Sequence, residues 1–430
     1  MNMPAGFRKA FLYLPHYMDK LFLFIFTWVG MGLWAQEGIK FTVLTGAYDR
    51  VDCPVSIDLH GQSLSLMDTS YVLYLLDGHK KTPVPVQLEA GAGPRLHFVL
   101  RGSYPSGAVL HLQLEPAADN VQEPPISIRP QNEGWRLMRG EQPLLHYQTA
   151  VTSPPAGVDN IFARSGYIHP VWSPSGTVLT RIQPPDHYHH YGLWGPWTET
   201  FIQGRPVDFW NLYKGEGTVR FGHMLQTVTG PVFTAFSALQ QHLDFGSKGP
   251  DQIALNEILE VRAWNADSAG RYWLVDYIST FNCPLDSGIL FAAYRYGGGL
   301  GFRALESWTN TNSTVLTSEG HTRKTADGTQ ARWCILEGPV NEGRGGILFM
   351  DHPTNRAHPQ PMRVWPEDAN NGRGDVFFEF CPIRHKSWSI LKNQAYVQRY
   401  RLLIFDGGIS ASEAERHWQA FAHPPKVSFN

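Results

Sequence analysis

The densest run of reactive side chains lies between Pro184 and Trp197, PPDHYHHYGLWGPW: one carboxylate, three imidazoles, two phenols and two indoles. Imidazole exchanges protons near neutral pH and is the commonest nitrogen ligand of transition metals. Read as extended chain, the segment alternates. His187, His189 and Tyr191 then share one face, and Asp186, Tyr188 and His190 the other. Two imidazoles one pleat apart can divide acid and base roles on an alcohol or a carbon acid, with His190 beside them. Trp194 and Trp197 would supply flat apolar faces on which a sugar ring can lie. Two rival uses stand next to this one. The imidazoles could be hydrogen-bonded anchors of a loop. They could also belong to a metal site, with His223 completing His187 and His189 and with Asp351 and His352 as further candidates. No ligand-spacing rule selects those residues, so the expectation is no resident cofactor, with a divalent metal left open.

Three other segments carry groups that could join the cluster. SGYIHPVWSPSGTVLTR contributes His169 and Arg181, and GRPVDFWNLYKGEGTV contributes Asp208, Trp210 and Glu216. FMDHPTNRAHPQPMRVWP contributes Asp351, His352, Asn355 and Arg356. Asp351 and His352 follow an apolar strand, where the rim of a sandwich would present them. The expected catalytic set is therefore His187, His189, His190, Asp351 and His352. The expected ligand-binding set is His169, Arg181, Trp194, Trp197, Asp208, Trp210, Glu216, Asn355 and Arg356.

Short strands are what must hold these groups. At 430 residues the chain exceeds one ordinary core, and it is 13% aromatic but only 17% charged. Lys+Arg of 36 balance Asp+Glu of 38 with no basic block, which excludes nucleic acid as the main partner. Residues 37–130 alternate in brief extended runs between Gly, Pro and Asp-Gly turns, as a small immunoglobulin-like sandwich does. A proline-rich polar stretch from Glu115 to Gly134 reads as a linker. Residues 131–425 then form a second, larger β pattern. WRLMRGEQPLLHYQT reads as a hairpin over a Gly-Glu turn, and YWLVDYISTFN, RWCILEG, GGILFMDHP, DVFFEFCP and QAYVQRYRLLIFDGG read as strands. One helix is expected, over SASEAERHWQAFA, capped by Ser410 or Ser412. The fold class is all-β, a small sandwich followed by a large two-sheet sandwich. No Rossmann glycine pattern, P-loop or GxSxG elbow is present.

The N-terminus reads as an address. Leu21 to Gln36 is an apolar run after Lys20, suited to a signal peptide over 1–36, with 1–17 a start-site artefact. No membrane partner is expected after cleavage, and the expected location is periplasmic or secreted. Export would permit disulfides among Cys53, Cys283, Cys334 and Cys381, although free buried thiols fit equally well.

The ordered motifs YIHPVWSPSGTVLTRIQPPDHYHHYGLW, GGILFMDHPTN and YRLLIFDG resemble the bacterial family labelled methane oxygenase PmoA-like, over roughly Gly134 to Gly408. Tyr188 stands where that family commonly has proline, and Tyr191 where it commonly has arginine. The methane label does not transfer, because membrane methane monooxygenase subunits need several spans and this chain has one candidate at most. The resemblance implies a place among sugar-metabolism proteins of polysaccharide-degrading bacteria, and a fold similar to the galactose-mutarotase-like supersandwich. The combined expectation is an exported carbohydrate-active enzyme that works by hydrolysis or β-elimination with histidine acid and base. A non-catalytic glycan-binding protein and a metal-dependent sugar enzyme are the alternatives. The partner is a carbohydrate ligand, and oligomeric state is unreadable.

Overall fold

The structure is a computed structural model describing residues 38–429 except 62–69, 91–92, 118–123, 247–250 and 342; the expected signal segment lies outside the described residues. Residues from Gly38 onward form one compact unit. Its larger part is a pair of eight-stranded sheets. One, called here the site sheet, runs in the order Met362–Val364, Phe377–Phe380, Leu300–Arg303, Leu193–Trp194, Tyr167–Val171, Gln142–Gln148, Gly134–Arg139, Ile126–Gln131. The other, the backing sheet, is built on long strands such as Phe233–Asp244, Gln252–Trp264, Tyr272–Asn282 and Ala395–Asp406. A separate four-stranded sheet joins Arg205–Val207, Thr200–Ile202, Ile289–Phe291 and Trp388–Ile390.

Alternation along the site sheet decides what each face does. Ile168, Leu193, Phe302 and Phe378 turn toward the backing sheet and fill the main core with Phe349, Val261 and Leu402. Their immediate neighbours Tyr167, Trp194 and Phe377 turn the other way and form a second, aromatic cluster on the outer face. Each such fully buried apolar side chain contributes about 1.5–3 kcal/mol. The site is built on that outer face.

The smaller part is a two-sheet sandwich. Five strands run in the order Lys426–Phe429, Ile39–Leu44, Val109–Ala117, Ser70–Asp77, Lys80–Val84, facing a three-stranded sheet of Arg50–Asp58, Arg95–Tyr104 and Val86–Glu89. Among the described residues, its first strand thus pairs with the last one, Phe41 opposite Phe429. Within the expected linker 115–134, Ile126–Gln131 is a strand at the edge of the site sheet. The expected helix is present as Ala411–Ala422. Ser410 caps it in a reciprocal box with Glu413, which satisfies the first-turn amides. All four cysteines are buried free thiols.

Candidate functional site

Extended alternation fails for the histidine segment. Ile182 bridges Tyr191 and the Gln183 amide donates to the His190 carbonyl at 2.8 Å, so the segment is a closed loop. Inside it two tight turns follow one another, His187 N donating to Pro184 O at 2.9 Å and His190 N to His187 O at 3.1 Å. Curled this way, the chain brings His190 round to the side of His187 and His189. One ring nitrogen from each of the three lies within 4.8 Å of the others. Gly192 ends the loop at φ +71°, where a Cβ would stand 2.5 Å from the Ile168 carbonyl oxygen, so only glycine fits.

Each imidazole is held differently. Asp186 Oδ2 accepts the Nδ1 hydrogen of His187 at 2.7 Å, and the His187 side chain is 33% exposed. His189 rests edge-on against Trp210, centroids 5.6 Å apart, and the Trp210 indole donates to the His189 carbonyl at 3.1 Å. Neither ring nitrogen of His189 has a hydrogen-bond partner among the described residues. His190 is buried between Phe377 at 5.1 Å, Trp194 at 5.4 Å and Trp210 at 5.7 Å. Its Nδ1 lies 3.5 Å from Nη1 of Arg303.

The electrostatics follow from this enclosure. Burial, with His187 adjacent, lowers His189 to about 3, and burial holds His190 well below the usual imidazole range. Both rings are therefore neutral at pH 7. Burial alone would raise Asp186, but hydrogen bonds from His187 and Arg303 and their charges bring it well below the usual carboxylate range. Arg303 is fully enclosed, pairs with Asp186 at 2.8 Å and Asp375 at 3.2 Å, and lies over the Trp365 ring at 4.7 Å. Trp365 in turn packs against His187 at 4.9 Å and donates its indole hydrogen to the Tyr296 hydroxyl at 3.2 Å. Tyr213, 60% exposed and 6.4 Å from His189, is the open aromatic at the rim.

Several expected residues stand elsewhere. Trp197 is fully buried in another core with Phe281, Phe291 and Trp388, so it offers no face to a ligand. Trp194 does reach the cluster, but at 1% exposure it supports His190 from beneath rather than stacking on a ligand. Asp351 is wholly enclosed and accepts hydrogen bonds from His358 at 2.7 Å, Asn355 at 2.8 Å and the Gln360 amide at 2.9 Å. Asn355 is bound to that network, and His352 packs on Phe421 of the helix. Arg356 donates to the Ser387 carbonyl at 2.7 Å and covers Trp388. None of these four touches the histidine cluster. His223 is exposed on Gly217–Thr229, outside the metal-capable group, which takes His190 in its place.

His169 bonds Thr180 at 2.8 Å and lines a cavity of about 420 Å³ with Glu133, Arg136 and His146, which none of the three clustered histidines lines. Arg181 pairs with Glu306 at 3.2 Å. Asp208 is consumed in shaping the loop that carries Trp210. It accepts from Thr198, the amides of Trp210 and Asn211, and Lys214 at 2.8 Å. Glu216 keeps one carboxylate oxygen buried without a hydrogen-bond partner.

The expected set lacked Asp186, Arg303, Tyr213, Tyr296, Trp365, Asp375 and Phe377. Phe302-Arg303 shows the alternation that could have flagged the arginine, an isolated charge on one face of an apolar strand. Nothing local ties it to residue 186.

Among solved structures, the chain is similar at 9% identity and a TM-score of 0.40 to a protein in the glycosyl hydrolase family 38 from Enterococcus faecalis, covering 92% of this chain and 48% of that one. It is also similar at 9% identity and a TM-score of 0.30 to a heparan sulfate lyase from Pedobacter heparinus, covering 69% and 38%. The chain thus spans about half the length of the first and less of the second. No curated protein matches it. A family match covers residues 134–419, which takes in the histidine loop and both eight-stranded sheets apart from the edge strand Ile126–Gln131, and on that match the chain belongs to the Family of unknown function (DUF6807).

Proposed function

We propose that the chain is an exported carbohydrate-active enzyme whose reaction centre is the cluster His187, His189 and His190. The observation that carries this reading is the convergence of three imidazoles, two of them neutral, beside aromatic rings on the outer face of a sheet. A sugar offers an apolar ring face and a rim of hydroxyls. Tyr213 and the half-buried imidazoles of His187 and His189 match those two demands at the rim.

Between the two reactions, β-elimination fits the site better than hydrolysis by a carboxylate pair. Hydrolysis of that kind needs two opposed acids, one of them protonated. Asp186 and Asp375 are ion-paired to Arg303, Asp208 is fully hydrogen-bonded and Asp351 is enclosed in a different part of the fold. What the cluster supplies instead is nitrogen lone pairs. The burial that keeps His189 and His190 neutral makes them weak bases better suited to a cation, and the proton-accepting role falls to His187. A purely glycan-binding role is less well served, because Trp194, Trp197, Trp210 and Trp365 are all buried.

The test is a panel of neutral and uronate-containing polysaccharides, read for new reducing ends and for the ultraviolet absorbance of an unsaturated product. One substrate should be turned over by the wild-type chain, and His189→Ala should cut that at least 100-fold while glycan binding persists. Turnover unchanged in His189→Ala would sink the reading.

A further inference from the structure

We infer that His187, His189 and His190 are the ligands of one divalent transition-metal ion of the zinc class. This deepens the proposed reading at the same site, and would make the imidazoles holders of a Lewis acid rather than carriers of protons.

The geometry supplies three independent supports. First, one nitrogen from each ring already lies within 4.8 Å of the other two, brought there by two consecutive backbone turns. A bound ion requires ligand atoms about 3–3.5 Å apart at zinc–nitrogen distances of about 2.0–2.1 Å. Closing that gap takes small ring rotations in a loop whose backbone is already set. Second, the surroundings are those of a ligand set. Asp186 fixes the Nδ1 hydrogen of His187 and leaves Nε2 free, the carboxylate–histidine pairing that orients metal-bound imidazoles. The Trp210 indole holds the His189 backbone, while the His189 ring nitrogens have no partner among the described residues. Third, the donor type is selective. Three imidazole nitrogens suit zinc, nickel, cobalt or copper and do not suit magnesium or calcium, which take oxygen. Three protein ligands also leave a coordination position for a ligand oxygen, as catalytic rather than structural zinc sites do.

His190 is the weakest of the three. Ligation through its Nε2 places the ring hydrogen on Nδ1, which the 3.5 Å approach of Arg303 opposes. The carboxylates of Asp186 and Asp375 both pair with Nη2 of Arg303, so ligation by His190 requires the facing Nη1 to turn away. The order of contribution is therefore His189 and His187 ahead of His190.

The experiment strips the purified full chain with chelator and titrates it with Zn²⁺ by calorimetry and with Co²⁺ by visible absorption. One equivalent should bind. His189→Ala should weaken binding at least 100-fold and His190→Ala less, while Asp186→Asn should cost about 10–100-fold. His223→Ala should leave binding unchanged, and thermal melts confirm that each variant is folded. The inference is overturned if the stripped wild-type chain takes up no stoichiometric ion. It is equally overturned if a folded His187→Ala/His189→Ala double variant, or Asp186→Asn, binds as the wild type does. Because this readout uses no glycan, its failure is distinct from a failure of turnover on the polysaccharide panel.

Discussion

Asp186 and Asp351 each stand immediately before a histidine, and each accepts an imidazole Nδ1 hydrogen at 2.7 Å. In sequence they look like two instances of one device. Asp351 holds His358 rather than its neighbour, and Asn355 and the Gln360 amide take up its remaining lone pairs. His358 stacks in parallel on Trp418, whose indole donates to the Asp351 carbonyl at 2.9 Å. Everything there is used internally, so the pair ties a turn to the helix. Asp186 holds its own neighbour, shares its oxygen with Arg303, and leaves three imidazoles with open nitrogens. The lesson is that an acid–histidine pair becomes a site by what it leaves unpaired.

Four measurements would break or sharpen that contrast. The largest effect is expected at Asp351→Ala, which strands several buried donors and should cost about 3–5 kcal/mol in denaturant unfolding. A loss under 1 kcal/mol would remove the structural half of the comparison. Acid should act on the same side of the molecule. Burial lowers His417 of the helix to about 4, with Arg401 and Arg416 adding to the effect. A buried neutral histidine stabilises above its unfolded value of about 6.5, and that stability drains as pH falls from there toward 4. At pH 5 the loss from His417 alone is about 2 kcal/mol. His417→Gln should flatten the fall in melting temperature between pH 7 and 5.

On the other side, Asp186→Asn should cost only about 1–2 kcal/mol, because Asp375 still neutralises Arg303. A larger loss would mean that Asp186 is as structural as Asp351. Smallest of all, Tyr213→Ala should change stability by no more than about 0.5 kcal/mol while weakening glycan affinity by about 5–30-fold. Unchanged affinity would move the ligand away from this rim.

Much of the fold was legible. The strands Tyr272–Asn282 and Gly343–Asp351, the hairpin over Gly140-Glu141 and the capped last helix all follow from periodicity and turn chemistry. What local pattern could not carry was non-local. Trp194 and Trp197 sit three residues apart yet enter different cores, because the chain leaves the site sheet between them. The histidine loop misled for a different reason. Alternation presumes extended backbone, and after Pro184 and Pro185 the chain turns twice. The right residue types were visible there, but their shared face was not. Arg303, the counter-charge that holds Asp186, comes from a distant strand and could not be assigned to the loop by any spacing.

The pairing of Lys426–Phe429 against Ile39–Leu44 has a consequence for how the protein is made. The strands from Ile39 to Ala117 are synthesised before those of the two large sheets, yet their sheet waits for an edge, Lys426–Phe429, made after all of them. Until then Ile39–Leu44 is bare on one side, and its row of free amides and carbonyls can be capped by another chain. Assembly of the small sandwich is thereby timed to the synthesis of the large sheets that separate its two paired edges in the chain.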